Sequence, residues 1–211
     1  GLASALASRW RQRVPRPGAR PVLVVAGSQQ DQTRRQIEAL VTSADARLLE
    51  VFDRALSVGE EHAWLEQANT SAHNGQHVVV SVRPRAVSTS TKGGGYPLIG
   101  EAARRTLNRN LLRLLRGLLG AGKPRVWAGV LIAGGNTAEL VTREALRLDG
   151  MLLSDWLAPG VAAAIGELGD GDRLPLVTKA GTWGNTDVLL RGIEWIVASD
   201  LALAVREERR G

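Results

Sequence analysis

The sequence predicts an α/β fold with a largely parallel central sheet covered by helices. Three observations carry this. Short Val-rich apolar runs read as strands buried on both faces. Longer stretches with apolar residues three and four apart lie between them and read as helices. The two patterns alternate along most of the 211 residues, as expected of crossover units that pack helices onto a sheet.

The elements follow in order. Gly1 to Arg13 reads as a short helix with Leu2, Leu6 and Trp10 on one face, closed by Val14-Pro15-Arg16-Pro17-Gly18, a linker-type break. Pro21 to Ala26 is a buried strand and Asp31 to Val41 a helix with Ile37, Leu40 and Val41 on one side. Arg47 to Val51 gives a second strand, Val58 to Ala72 a polar helix, and Gln76 to Val82 a third strand. Val87 to Tyr96 is small, polar and glycine-rich, a loop by composition, with phosphate covering as its functional alternative. The helix of Leu98 to Leu119 is the clearest, with a stripe of Leu107, Leu111, Leu114, Leu115 and Leu118 opposite Arg105, Arg109, Arg113 and Arg116. Val126 to Ala133 is a strand, Thr137 to Leu148 a helix, Leu174 to Thr178 a strand and Asp187 to Ala204 the last helix. Met151 to Leu168 is less regular and reads as an extended hairpin or an excursion. The layering is Rossmann-like in outline.

Composition narrows the function classes. The chain has no cysteine, which removes disulfides, thiol catalysis and zinc-thiolate sites and suits a cytoplasmic protein. No apolar run approaches the roughly 20 residues of a membrane span. The start has no Met, no long apolar stretch and five arginines between Arg9 and Arg20, so it is not a signal peptide and reads as the edge of a fragment. The net charge of +6 raises nucleic acid as a partner, but the arginines are scattered, aromatics are only 4% and no nucleic-acid-binding signature is present. Arginines on solvated helix faces are the simpler reading, and neither nucleic acid nor membrane is expected as a partner.

Three segments repeat one design: apolar strand, glycine turn, helix start. They are Ala26-Gly27-Ser28 leading toward Thr33, Ala133-Gly134-Gly135-Asn136-Thr137, and Thr178-Lys179-Ala180-Gly181-Thr182-Trp183-Gly184. In a parallel sheet such turns gather at the carboxyl edge of the strands, where ligands bind. Glycine lets backbone N–H groups approach a phosphate closely, a helix start adds unpaired donors, and Lys179 brings a full charge. Taken singly, each is ordinary turn chemistry with Ser28, Asn136 or Asp187 as helix caps. Together, with a lysine in one, they favour an anion or nucleotide site.

Other motifs fail on inspection. Gly117 to Pro124 approaches a phosphate loop, but Pro124 replaces the hydroxyl residue and the segment follows a helix instead of a strand. No dinucleotide fingerprint or nucleophile elbow is present. His62, His73 and His77 lack metal-ligand spacing and read as surface residues, and Asp170 and Asp172 are too few for a calcium loop. Of six tryptophans, Trp183 stands between glycines of the third turn, where flanking an adenine and plugging the core are both open.

At these turns the chain resembles the nucleotide-binding C-terminal domain of the four-carbon acid sugar kinase family. The matching stretches are Pro21 to Leu40, Leu131 to Leu146, Leu157-Ala158-Pro159-Gly160-Val161 and Pro175 to Leu190, in the family's order and approximate spacing. The resemblance implies that residues 20–211 form the nucleotide-binding domain and that 1–19 are the remnant of a preceding sugar-acid-recognition domain with its linker. It implies ATP with Mg²⁺ as cofactors. Contacts are implied at Gly27 and Ser28, at Gly134, Gly135, Asn136 and Thr137, and at Gly181 and Gly184, with Lys179 in a supporting electrostatic role.

Catalytic residues and the binding of the sugar acid are implied to belong to the N-terminal domain, so this chain alone is expected to bind ATP or ADP and transfer poorly. Asn136, Ala180 and Trp183 replace the family's usual acidic residue, Ser and Phe, and Gln29 and Gln30 stand where smaller residues are common. Loss of the charge at Asn136 is expected to weaken metal binding. The expected function is therefore the ATP-binding part of a sugar-acid kinase, with a non-catalytic nucleotide-sensing or structural module as the alternative. Apolar surface left by the partner domain is expected to favour a homodimer.

Overall fold

The computed structural model describes residues 19–84, 100–120 and 126–208. The expected N-terminal helix, the linker after it and the 87–96 loop lie outside these residues.

The elements run β1 (Val22–Ala26), α1 (Asp31–Ser43), β2 (Ala46–Phe52), α2 (Val58–His73), β3 (His77–Arg83), α3 (Glu101–Leu119), β4 (Gly129–Ala133), α4 (Gly135–Glu139), β5 (Gly150–Ala158), β6 (Val161–Glu167), β7 (Arg173–Lys179) and α5 (Val188–Glu208). They build one seven-stranded sheet of order β2-β3-β1-β4-β7-β6-β5. The first five strands in that order are parallel; β6 and β5 close the sheet as an antiparallel hairpin. The α/β expectation holds, and of the hairpin or excursion expected over Met151 to Leu168 the hairpin is formed.

Alternation along β1 divides the core into two layers. Leu23 and Val25 join the layer beneath α2 and α3, where the leucine stripe of α3 (Leu107, Leu111, Leu114, Leu115 and Leu118) is buried as expected. Val22, Val24 and Ala26 join the layer formed with α1 and α5, with Ile37, Leu40, Leu189, Ile193 and Ile196. Both faces of β1 are therefore dry, which is why its sequence is apolar throughout. Arg20 pairs with the buried Asp200 of α5, tying the entrance of β1 to that helix.

Two local readings change. The helix expected from Thr137 to Leu148 begins earlier, at Gly135, and widens over Leu140–Ala145 into a π-type turn, with Leu146 N–H bonding to the Val141 carbonyl. The wider turn keeps Leu140 and Val141 buried against α3's layer. His77 is not a plain surface residue: its Nδ1 accepts the Val22 N–H at 3.0 Å, and burial lowers its pKa. Among the described residues no helix is long and apolar enough to cross a membrane.

Candidate functional site

The topology brings the three turns together. Strand order reverses around β1 and β4: β3 and β2 lie to one side of β1, while β7 and the hairpin lie beyond β4. A crevice at such a reversal is the usual ligand position in an open α/β sheet. The turns leave the carboxyl ends of β1, β4 and β7, which are consecutive neighbours in the sheet. They enclose a cleft of about 400 Å³. Gly27, Ser28, Gln29 and Gln30 line it from the first turn, Gly134 to Thr137 from the second, and Gly181 and Thr182 from the third.

The glycines allow this approach. A Cβ on Gly27 would lie 1.9 Å from Thr137 Oγ1, and one on Gly181 would lie 2.5 Å from Ser28 Oγ. Gly134 has φ +117°, a conformation reserved for glycine. Its N–H donates to the Lys179 carbonyl at 2.9 Å, while Gly27 and Ser28 N–H groups both donate to the Ala133 carbonyl at 3.1 and 3.2 Å. The Gly27 and Ser28 amides are thus committed to holding the first two turns together. The second turn differs: Ala138 N–H makes the first helical bond, to the Gly134 carbonyl. That leaves the N–H groups of Gly135, Asn136 and Thr137 without helical acceptors where these residues line the cleft. Gly134 caps this helix without a side-chain bond, so Asn136 is not the cap.

The remaining residues of interest stand behind the wall. Lys179 is buried and does not line the cleft. Its Nζ donates to the carbonyls of Ala180 and Gly181, both at 2.9 Å, and burial lowers its pKa to about 8. Gly184, at φ +86°, offers its carbonyl to the amides of Gln32 (2.8 Å) and Gln36 (2.9 Å). Trp183 neither plugs the core nor lines the cleft: it is half-exposed, packed against Gly160 at the hairpin tip.

Sequence reading missed Thr33 and Gln36. Thr33 Oγ1 reaches the Gly181 carbonyl at 2.8 Å and Ser28 Oγ at 3.2 Å. Gln36 Nε2 gathers the carbonyls of Trp183, Gly184 and Asn185. The available signal was a polar file at Gln32, Thr33 and Gln36 on the helix side that also carries Ile37 and Leu40, since both Thr33 and Gln36 are fully buried.

Among the described residues the cleft wall supplies neutral donors and acceptors and no carboxylate. Among the described residues no cluster of three or more His, Asp or Glu is placed to hold a metal. This suits the phosphates of a nucleotide, which seek N–H and O–H donors. It does not suit a protein-held Mg²⁺, for which one or two carboxylates are the usual anchor.

These features define a nucleotide-type α/β domain with a polar, glycine-lined cleft at the reversal of its strand order. Residues 23–189 match the nucleotide-binding C-terminal domain family, and the chain belongs to that family. It resembles the four-carbon sugar-acid kinases, as the sequence implied. It is 31% identical over 209 residues to a D-threonate kinase of Bordetella bronchiseptica, a match covering 99% of this chain and 45% of that protein. It is 26% identical to a D-threonate kinase of Salmonella typhimurium, covering 93% of the chain and 47% of the relative. The chain thus spans less than half the length of these relatives. A solved domain of unknown function from Bordetella bronchiseptica, crystallised with bound citrate as a domain-swapped dimer, superposes with a TM-score of 0.60 at 28% identity, over 85% of this chain and 41% of that one.

Proposed function

We propose that this chain is the ATP-binding part of an ATP-dependent kinase acting on a small, four-carbon sugar acid, and that transfer needs the substrate-binding part found in its longer relatives. The observation that carries the reading is the cleft itself: three glycine turns on adjacent strands, with a helix start whose first N–H groups have no helical acceptor and, among the described residues, no carboxylate to repel phosphate. In this reading Gly134 to Thr137 hold phosphate oxygens, Ser28 and Gly181 shape the opposite wall, and Mg²⁺ arrives on the nucleotide. The resemblance to D-threonate kinases supports the substrate class, and the dimeric solved relative supports a homodimer.

Phosphoryl transfer depends mainly on positioning and charge stabilisation. A domain holding one reactant supplies half of that, so binding without efficient transfer is the expected behaviour of this chain. The second reading, a non-catalytic nucleotide sensor, is favoured by one observation: Asn136 leaves the cleft wall without a carboxylate for metal.

The thermal midpoint with and without ATP or ADP and magnesium tests the proposal. Nucleotide at 100 times its Kd stabilises by about 2.7 kcal/mol, an upward shift of roughly 5–10 °C. A nucleotide-specific shift, absent with inorganic phosphate alone, is expected; no shift with either nucleotide would reject the binding role. Transfer to D-threonate after supplying a family substrate domain separates kinase from sensor.

A further inference from the structure

Lys179 is only 3% exposed, yet its bonds lead toward the cleft. An ammonium carries three N–H donors, and three neutral oxygens receive them: the carbonyls of Ala180 and Gly181 at 2.9 Å and the Thr33 hydroxyl at 3.4 Å. With Lys179 donating to Thr33, the Thr33 proton is turned toward the Gly181 carbonyl and Ser28 Oγ, 2.8 and 3.2 Å away. Ser28 belongs to the cleft wall. The cation therefore stands one hydrogen bond behind Gly181 of the cleft wall and two behind Ser28.

Among the described residues no acidic group offsets it. On the neighbouring strands its register partners are Ala133 and Val161. From α1 it meets Thr33, while Asp31 and Arg34 of that helix pair with each other at the exposed surface. Its ionisation is lowered by burial, with no carboxylate opposing. A buried charge with only carbonyl dipoles for company is costly. Negative charge arriving in the cleft would relieve that cost. A neutral amine would have two protons for the two carbonyls and a lone pair toward Thr33, whose hydroxyl would then turn to donate to Nζ and give up its bond to the Gly181 carbonyl and Ser28.

We propose that Lys179 is a positioning residue: as an ammonium it holds the third turn and, through Thr33, the Ser28 hydroxyl in the binding arrangement, while the anionic ligand in turn holds the proton on Lys179. The proposal rests on the nucleotide reading and adds a linked protonation at a group the ligand does not touch.

The ¹³Cε resonance of Lys179, assigned by its loss in Lys179→Met, can be titrated from about pH 7 to about pH 11 with and without saturating ADP. Calorimetry of ADP binding over the same range gives the affinity. Phosphate groups have completed their second ionisation, near pH 6, so the ligand's own titration does not interfere. ADP is expected to raise the Lys179 pKa, and affinity is expected to fall about tenfold as pH rises through it. Lys179→Met should bind several-fold more weakly with a flat profile, and Thr33→Val should lose affinity but keep the pH dependence. If ADP binds while Lys179 titrates identically in both states, or Lys179→Met keeps wild-type affinity and profile, the inference falls and the nucleotide site stands. Failure of the wild-type chain to bind ADP at any pH overturns both.

Discussion

Neighbouring glycines in the second turn serve different purposes. Gly134 needs its positive φ, so Gly134→Ala is expected to destabilise by about 1–3 kcal/mol. A Cβ on Gly135 meets no atom within 4 Å, so the space it would enter is the cleft. Gly135→Val is therefore expected to keep a melting temperature near wild type while abolishing the nucleotide-dependent shift. Comparing melts of the two variants with and without ATP checks this, and a strong ATP shift in Gly135→Val would move the ligand elsewhere. Both glycines were visible in the sequence as candidates. Their division of labour was not, because φ and inter-turn distance depend on a carbonyl of β7 more than 40 residues away.

At the scale of elements, two joints have measurable strength. Helix α2 starts on a reciprocal capping box: Ser57 Oγ accepts Glu60 N–H while the Glu60 carboxylate accepts Ser57 N–H. The hydrogen bond from Arg54, and then those from Ser57, lower the Glu60 pKa to about 2. Ser57→Ala is expected to cost about 1 kcal/mol in denaturant unfolding. The second joint is His77, which accepts from β1 through an unprotonated Nδ1. Its folded pKa lies below its ordinary value, so the unfolded chain takes up the proton first. Stability is expected to fall as pH drops below about 6.5, and His77→Gln should flatten that part of the melting profile.

Strands and helices were legible because burial on two faces leaves a continuous apolar word and burial on one leaves a stripe. The early start of α4 and its π-type widening were not, since Gly134-Gly135 reads as a turn and local spacing carries no sign of an added residue in one turn.

For the whole molecule, the sheet is finished on one side only by β5. Met151, Leu152, Leu153 and Trp156 are exposed there, Leu152 at 72%, on a strand whose outer edge pairs with no other strand among the described residues. Such edges invite pairing with another chain. Self-association that rises with concentration is expected, and Leu152→Lys should reduce it in sedimentation velocity while changing stability by less than about 0.5 kcal/mol. The cleft location was legible from three similar turns, because parallel strands send their carboxyl ends to one edge. The layer behind it was not: Thr33 and Lys179 are 146 positions apart and meet only through the sheet order.

Trp183 adds a practical consequence. Its indole rests half-exposed on Gly160, directly after Thr182 of the cleft wall, and the hairpin tip beneath it accepts the Ala180 N–H. The residue is 52% exposed to water and belongs to the third turn. A small movement of that turn changes the solvation of the indole and with it the colour and yield of its emission. The chain therefore carries its own optical probe beside the cleft, and Trp183→Phe identifies that signal among the six tryptophans.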